Sequence, residues 1–145
     1  QALPYTITRV YPGFPTDLQS QLLSTLCTAE GDSTIEEKIF TNRFRIVPEL
    51  KKMGAEVCVR DQTVYIHGVE RLHGNTLTAK ELRGGAALVL AGLCAAGIST
   101  VEQCHYIERG YEDFHLKFFV VFALFYYILI IYKIFNLVKY ISPFF

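Results

Sequence analysis

The chain has 145 residues and a mass of 16.5 kDa, room for one ordinary domain or part of a larger one. Fourteen basic side chains balance fourteen acidic ones, and 51% of residues are hydrophobic; this excludes a disordered tail and a strongly basic nucleic-acid binder. The balance joins two unlike parts: residues 1–113 hold 11 basic and 14 acidic side chains, a net of −3, while residues 114–145 hold three lysines, no carboxylate and eight of the eleven phenylalanines.

Residues 5–10 alternate and predict a strand. Pro12, Gly13, Phe14 and Pro15 form a turn, since proline and glycine fix the backbone there. Thr16 is the expected helix N-cap, with Gln19 in capping-box position. Leu18, Leu22, Leu23 and Leu26 then recur at helical spacing. Glu30, Gly31 and Asp32 end that helix, and residues 33–40 predict a strand. Asn42 is expected to cap a second helix reaching Met53, with Phe44, Val47, Leu50 and Met53 on one face and Pro48 in its first turns. Gly54 stops it. Residues 55–60 and 63–67 predict a hairpin around Asp61 and Gln62. A weak strand follows at 76–78, then a helix over 80–96 stopped by Gly97, a strand at 99–104 and a further helix starting near 110–112.

The chain repeats itself at an offset of 66. Leu22, Ala29, Gly31, Ser33, Thr34 and Glu36 meet Leu88, Ala95, Gly97, Ser99, Thr100 and Glu102. Arg43 meets Arg109, Leu50 meets Leu116 and Lys51 meets Lys117. Identities in one register suggest two copies of a β-α-β-α-β-β unit, at residues 1–67 and 68–117; chance similarity of two helix-then-strand segments is the other reading. The offset calls for a Gly-Ala turn and hairpin from residue 120, but Val120 and Val121 stand there. The second copy is expected to lack its last two strands.

Cys27, Cys58, Cys94 and Cys104 are widely spaced, with no Cys-x-x-Cys pair, which predicts ordinary thiols in a reducing compartment and no metal. No Walker-type phosphate loop occurs, no cofactor is expected, and Gly84 and Gly85 read as a close-packing site. Asp17 lies at a helix mouth, where a first-turn carboxylate is favoured by the helix dipole alone. Arg43 and Arg109 follow equivalent strands, and the offset sets Arg83 opposite Asp17. Arginines at strand ends and helix starts suit a carboxylate or phosphate ligand; three solvated arginines are the other reading.

The run from Tyr11 through Pro12, Gly13, Phe14, Pro15, Thr16, Asp17 and Leu18 to Gln19 resembles the UDP-N-acetylglucosamine 1-carboxyvinyltransferase family of enolpyruvyl transferases. The resemblance continues through Glu37 to Phe44, Val47 to Leu50, Met53 to Ala55, Gly68 to Leu72, Glu81 to Arg83, Leu88 to Gly92 and Arg109 to Glu112, so it covers about 1–117. The sister family of the shikimate pathway shares the fold without the Pro-Gly-Phe-Pro-Thr-Asp block. The resemblance implies an α/β fold: an inside-out α/β barrel of repeated β-α-β-α-β-β units in two globes, incomplete in this chain. It implies transfer of the enolpyruvyl group of phosphoenolpyruvate to the 3′-hydroxyl of UDP-N-acetylglucosamine, with release of phosphate, in cytoplasmic peptidoglycan precursor synthesis. Asp17 matches the carboxylate that contacts that hydroxyl and is proposed to take its proton. Ile39, through its main chain, and Phe40 match the nucleotide-sugar site. Arg43, Arg83 and Arg109 match arginines facing the phosphate-bearing substrates. Glu81 and Glu108 stand where the family usually has aspartate. Its Lys-Asn pair and reactive loop cysteine have no match here, so none of the four cysteines takes that role. The chain is expected to be the C-terminal piece of a longer enzyme, inactive alone.

Residues 118–132 are uncharged and almost wholly apolar, and Lys133 interrupts before the run resumes to 138. That is short of the roughly 20 apolar residues of a membrane helix. Of residues 114–145, 21 are Phe, Tyr, Ile, Lys or Asn, whose codons are AT-rich. An apolar helical tail over 118–145, arising from a reading-frame change after Lys117, is the expectation. The alternative is a genuine anchor over 118–138 on a non-catalytic, membrane-associated protein of the same fold. A nucleotide-sugar binding module without catalysis is the third reading.

Overall fold

The computed structural model describes residues 1–114, 116 and 117. The chain divides into two units, Gln1–Gly110 and a second that begins at Tyr111. In the second, Tyr111 and Phe114 place their rings 5.2 Å apart, and the Lys117 amide donates to the Asp113 carbonyl. The apolar run at 118–138 and the helical tail expected over 118–145 lie outside the described residues. Among the described residues, no helix is long and apolar enough to cross a membrane.

The first unit is a mixed α/β structure. Its elements are β1 (Thr6–Ile7), a 3-10 turn (Thr16–Leu18), α1 (Gln19–Leu26), β2 (Asp32–Glu36), α2 (Val47–Lys52), β3 (Glu56–Arg60), β4 (Thr63–His67), β5 (Thr76–Thr78), α3 (Leu82–Cys94), β6 (Thr100–Glu102) and α4 (His105–Glu108). A four-stranded sheet runs β1-β2-β4-β3, and β5 and β6 form a two-stranded sheet. Alternation decides which face is covered. Ile35, Val64 and Ile66 point into the core, while Asp32, Tyr65 and Cys58 stay exposed. Antiparallel register sets Ile35 against Val64 and Val64 against Val59. Leu23 and Leu26 of α1, Leu50 of α2, and Ala87, Leu88 and Ala91 of α3 join the same core. Each fully buried leucine contributes about 1.5–3 kcal/mol by leaving water.

Two stretches of the backbone are built alike. β1 and β2 pair in parallel across α1, and β5 and β6 pair in parallel across α3. The equivalent Gly31 and Gly97 both adopt positive φ, 104° and 89°, a conformation that costs glycine little. Within the strand–helix–strand part, the two stretches differ in the link from strand to helix. Thr6 pairs with Ile35 and Leu77 with Val101, so the second strands match at 66 while the first match at 71. The first stretch therefore holds five extra residues between strand and helix, in the connection of residues 8–15 that includes Pro12 to Pro15.

Several boundaries differ from expectation, each for a local reason. The strand expected to reach residue 40 ends at Glu36, because Glu37 turns its carboxylate back onto the amides of Ile39 and Phe40. Thr16 is no side-chain cap; its hydroxyl donates to Glu37 Oε2 at 2.8 Å. Asn42 sits at φ 58° and α2 begins only at Val47, with Pro48 in its first positions, where a missing N–H is harmless. The helix expected near 110–112 is preceded by α4, beginning at His105. The hairpin and β5 fall where the alternation predicts them. Gly84 and Gly85 are close-packing positions: a methyl on Gly85 would lie 2.7 Å from Ile107 Cγ1.

Candidate functional site

The loop after β1 delivers Asp17, the loop after β2 delivers Ile39, Phe40 and Arg43, and the start of α3 delivers Arg83. The side chains of Asp17, Phe40, Arg43 and Arg83 converge. Arg83 Nε lies 2.7 Å from Asp17 Oδ1, and Arg43 Nη2 lies 3.9 Å from the same oxygen. The residues that the repeat sets in equivalent places thus touch each other. The Arg43 guanidinium also lies 4.6 Å from the centroid of the Phe40 ring, a cation–π contact worth about 0.5–1 kcal/mol at an exposed site. Arg43 is mostly covered, whereas Asp17 is 59% exposed and so is open to a ligand.

Glu37 holds the first two loops together. It is 1% exposed. Its Oε1 accepts from Thr8 Oγ1 at 2.8 Å, from the Ile39 amide at 2.8 Å and from the Phe40 amide at 3.1 Å; its Oε2 accepts from Thr16 Oγ1. Thr8 Oγ1 in turn accepts from the Lys38 amide at 2.9 Å. One carboxylate therefore ties the turn that presents Asp17 to the segment that presents Ile39 and Phe40. With its N–H engaged by Glu37, a main-chain contact at Ile39 falls to its carbonyl oxygen.

Arg109 does not touch Asp17. It lines a cavity of about 330 Å³ with Lys80, Glu81, Leu82, Arg83 and Tyr106. A second cavity of about 240 Å³ is lined by Phe40, Thr41, Asn42, Arg43, Arg45 and Glu81. Glu81 borders both, but its carboxylate accepts from the Arg83 and Gly84 amides as the N-cap of α3. Capping satisfies two N–H groups that a helix start leaves open. It also turns the acid toward the helix end. Arg83 and Arg109 thus face a pocket whose one carboxylate is already engaged. A further concavity, about 480 Å³, lies on the sheet at Asp32, Cys58, Tyr65 and His67, and shares no lining residue with these two.

Glu37, Glu81 as a cap, and Lys80 were not singled out by sequence reasoning. Glutamate is not among the Ser, Thr, Asp and Asn that signal a cap, so Glu81 is not marked as one; nothing local marks Glu37, whose partners lie up to 29 residues away. Burial pushes the Cys27 thiol up to about 12, so it is inert, and all four cysteines are free. Among the described residues no cluster of His, Cys, Asp or Glu could hold a metal ion.

A family model described as EPSP synthase (3-phosphoshikimate 1-carboxyvinyltransferase) matches residues 7–118. The chain belongs to this family. It is 54% identical over 110 residues to UDP-N-acetylglucosamine 1-carboxyvinyltransferase 1 of Legionella pneumophila, covering 76% of this chain and 22% of that one. It is 50% identical over 106 residues to UDP-N-acetylglucosamine 1-carboxyvinyltransferase of Paracoccus denitrificans, covering 73% and 25%. Among solved structures, the enolpyruvyl transferase NikO of Streptomyces tendae superposes with TM-score 0.70 at 34% identity, covering 77% of this chain and 26% of that one. An EPSP synthase from Acinetobacter baumannii, TM-score 0.52 at 23% identity over 67% of this chain and 23% of that one, shares the fold. The chain spans about a quarter of the length of these two curated relatives.

Proposed function

We propose that the chain forms one wall of an enolpyruvyl transferase site, acting on phosphoenolpyruvate and UDP-N-acetylglucosamine. The carrying observation is Asp17, exposed between Arg83 and Arg43, beside the cavity lined by Arg83 and Arg109. The sugar hydroxyl docks against the Asp17 carboxylate, which accepts its proton as the oxygen bonds to the enolpyruvyl carbon. Removing a proton in this way is worth about 10²–10⁴-fold. Arg83, Arg109 and Arg43 neutralise the phosphate-bearing groups, and phosphate leaves. Fixed guanidinium groups do this without reorganising at the moment of reaction. The Ile39 carbonyl and the Phe40 ring border the nucleotide sugar. The two copies, 1–67 and 68–117, are adjacent units of an inside-out barrel. The parallel pairs β1–β2 and β5–β6, each bridged by a helix, support that reading. The reaction is cytoplasmic, where both substrates are made, and needs no nucleic acid, metal or cofactor.

A chimera tests it. Residues 7–117 replace the matching segment of the Legionella relative, and phosphate release is followed with both substrates. An active chimera that loses at least about 100-fold in kcat on Asp17→Asn supports the reading. A well-folded chimera that is inactive, or indifferent to the substitution, refutes it.

A further inference from the structure

Lys80 carries a charge that the structure leaves half committed. It precedes the cap of α3 and lines the same cavity as Arg83 and Arg109. Its Nζ lies 3.4 Å from Glu49 Oε1. Glu49 is buried at 3% exposure, and it already has a closer cation: Lys52 Nζ stands 2.6 Å from Oε2. The same Oε2 accepts from the Thr78 amide at 3.2 Å. One carboxylate between two ammonium groups leaves one positive charge in surplus. The longer contact, and a side chain 51% exposed, make Lys80 the one free to turn away. A flexible four-carbon stem with three rotatable donors suits that movement.

The cavity it borders is unbalanced in the same sense. Of its four charged lining residues, three are cations. The acid, Glu81, is engaged by the amides of α3. Arg83 is paired with Asp17, and Arg109 has no ion-pair partner among the described residues. The start of the 13-residue helix α3 adds a positive dipole end to the same wall. Tyr106 supplies a phenol beside these cations.

We propose that Lys80 is the third cation of this pocket, resting against Glu49 and swinging to a phosphoryl anion when one binds beside Arg83 and Arg109. This rests on reading the pocket as an anion site of the proposed transferase. The phosphoryl group is that of phosphoenolpyruvate or of the nucleotide diphosphate, and the two sources are separable by experiment. The 145-residue chain is titrated calorimetrically with phosphoenolpyruvate and, separately, with UDP at low ionic strength. Lys80→Met is expected to raise the dissociation constant of one of them by roughly fivefold, the size of a half-exposed ion pair, and Lys80→Arg to restore most of it. The ligand that weakens is the source. Circular dichroism melts confirm that the variants fold. If Lys80→Met binds both ligands as the parent does while Arg109→Met loses one, the anion site stands and the role of Lys80 is refuted. If the parent chain binds neither ligand, the reading of the pocket falls, and the proposal with it.

Discussion

Replacing Glu37 with leucine should remove a large share of the protein's stability, whereas glutamine should be tolerated. The difference follows from the four donors that converge on this carboxylate. Three of them meet Oε1: the Thr8 hydroxyl and the amides of Ile39 and Phe40. A glutamine oxygen can take all three, and the Thr16 hydroxyl can rotate to accept from the amide nitrogen. The loss is then the charge-assisted part of the bonds, about 1–2 kcal/mol. Leucine has a similar volume and no acceptor. The Thr8 hydroxyl, at 0% exposure, cannot turn to water, and an unsatisfied buried group costs about 1–3 kcal/mol. The Ile39 and Phe40 amides lie nearer the surface and recover part of their loss by hydration. The sum is about 3–5 kcal/mol, a large share of the 5–15 kcal/mol by which a domain of this size is usually stable. Urea denaturation followed by far-ultraviolet circular dichroism measures both variants. If leucine costs less than about 1 kcal/mol, or glutamine costs as much as leucine, the account of Glu37 as the tie between the two loops is wrong.

Other substitutions and conditions have expected outcomes. Cys58, Cys94 and Cys104 are exposed and Cys27 is buried, so a chromogenic disulfide reagent should titrate three thiols quickly and the fourth only in denaturant; four fast thiols would contradict the packing of α1. Gly85→Ala gains about 1 kcal/mol of helix propensity but sets a methyl 2.7 Å from Ile107 Cγ1 and 3.0 Å from Ala79 Cβ. Overpacking costs about 1–3 kcal/mol, so a lowered urea midpoint is expected, and a raised one would show that α4 is loosely held. Burial pushes the Glu49 carboxyl up, but the Lys52 bond, the Thr78 amide and Lys80 outweigh it and hold it below its ordinary 4.5. A carboxylate lowered in the folded state contributes stability above pH 4.5 that is lost as the pH falls through its native value. Glu49→Gln should therefore be less stable at pH 7 and show a flatter acid limb below 4.5, and parallel stability curves would refute this.

What local pattern could reveal depended on how local the cause was. The hairpin of β3 and β4 is legible because alternation of Val57, Val59, Val64 and Ile66 with polar residues has one meaning on a pleated strand. Leu77 between two threonines reads in the same way. Local pattern carries the strand after α1 four residues too far because its continuation, Lys38-Ile39-Phe40, has strand composition. What ends it is a side chain folding back on the amides that follow, tied to Thr8 and Thr16 by bonds spanning 29 and 21 residues. No window of sequence contains those partners. The same limit applies at the site. The offset of 66 could set Asp17 and Arg83 in equivalent places, and it predicted nothing about contact. Lys80 was invisible for a similar reason, since its partner Glu49 lies on α2.

The two strand–helix–strand stretches differ in register, and the departure lies beside the candidate site. Their second strands match at 66 and their first at 71, so the difference falls between strand and helix. In the second copy three residues, Ala79 to Glu81, join β5 to α3, and the helix begins directly on its acidic cap. In the first copy the connection is longer by five, and it holds the cis Tyr11–Pro12 peptide and Gly13. Its end is a 3-10 turn rather than a side-chain-capped helix. A short connection yields a helix start with its amides occupied by Glu81. The longer one frees the corresponding first turn from capping, and Thr16 reaches Glu37 instead. Asp17 is then presented by that turn with its carboxylate directed at Arg83, its own counterpart in the other copy. A duplicated unit with identical connections would set like against like at the helix mouths. Five more residues in one connection, and opposite charges 66 residues apart at the two helix mouths, set an acid beside a cationic pocket.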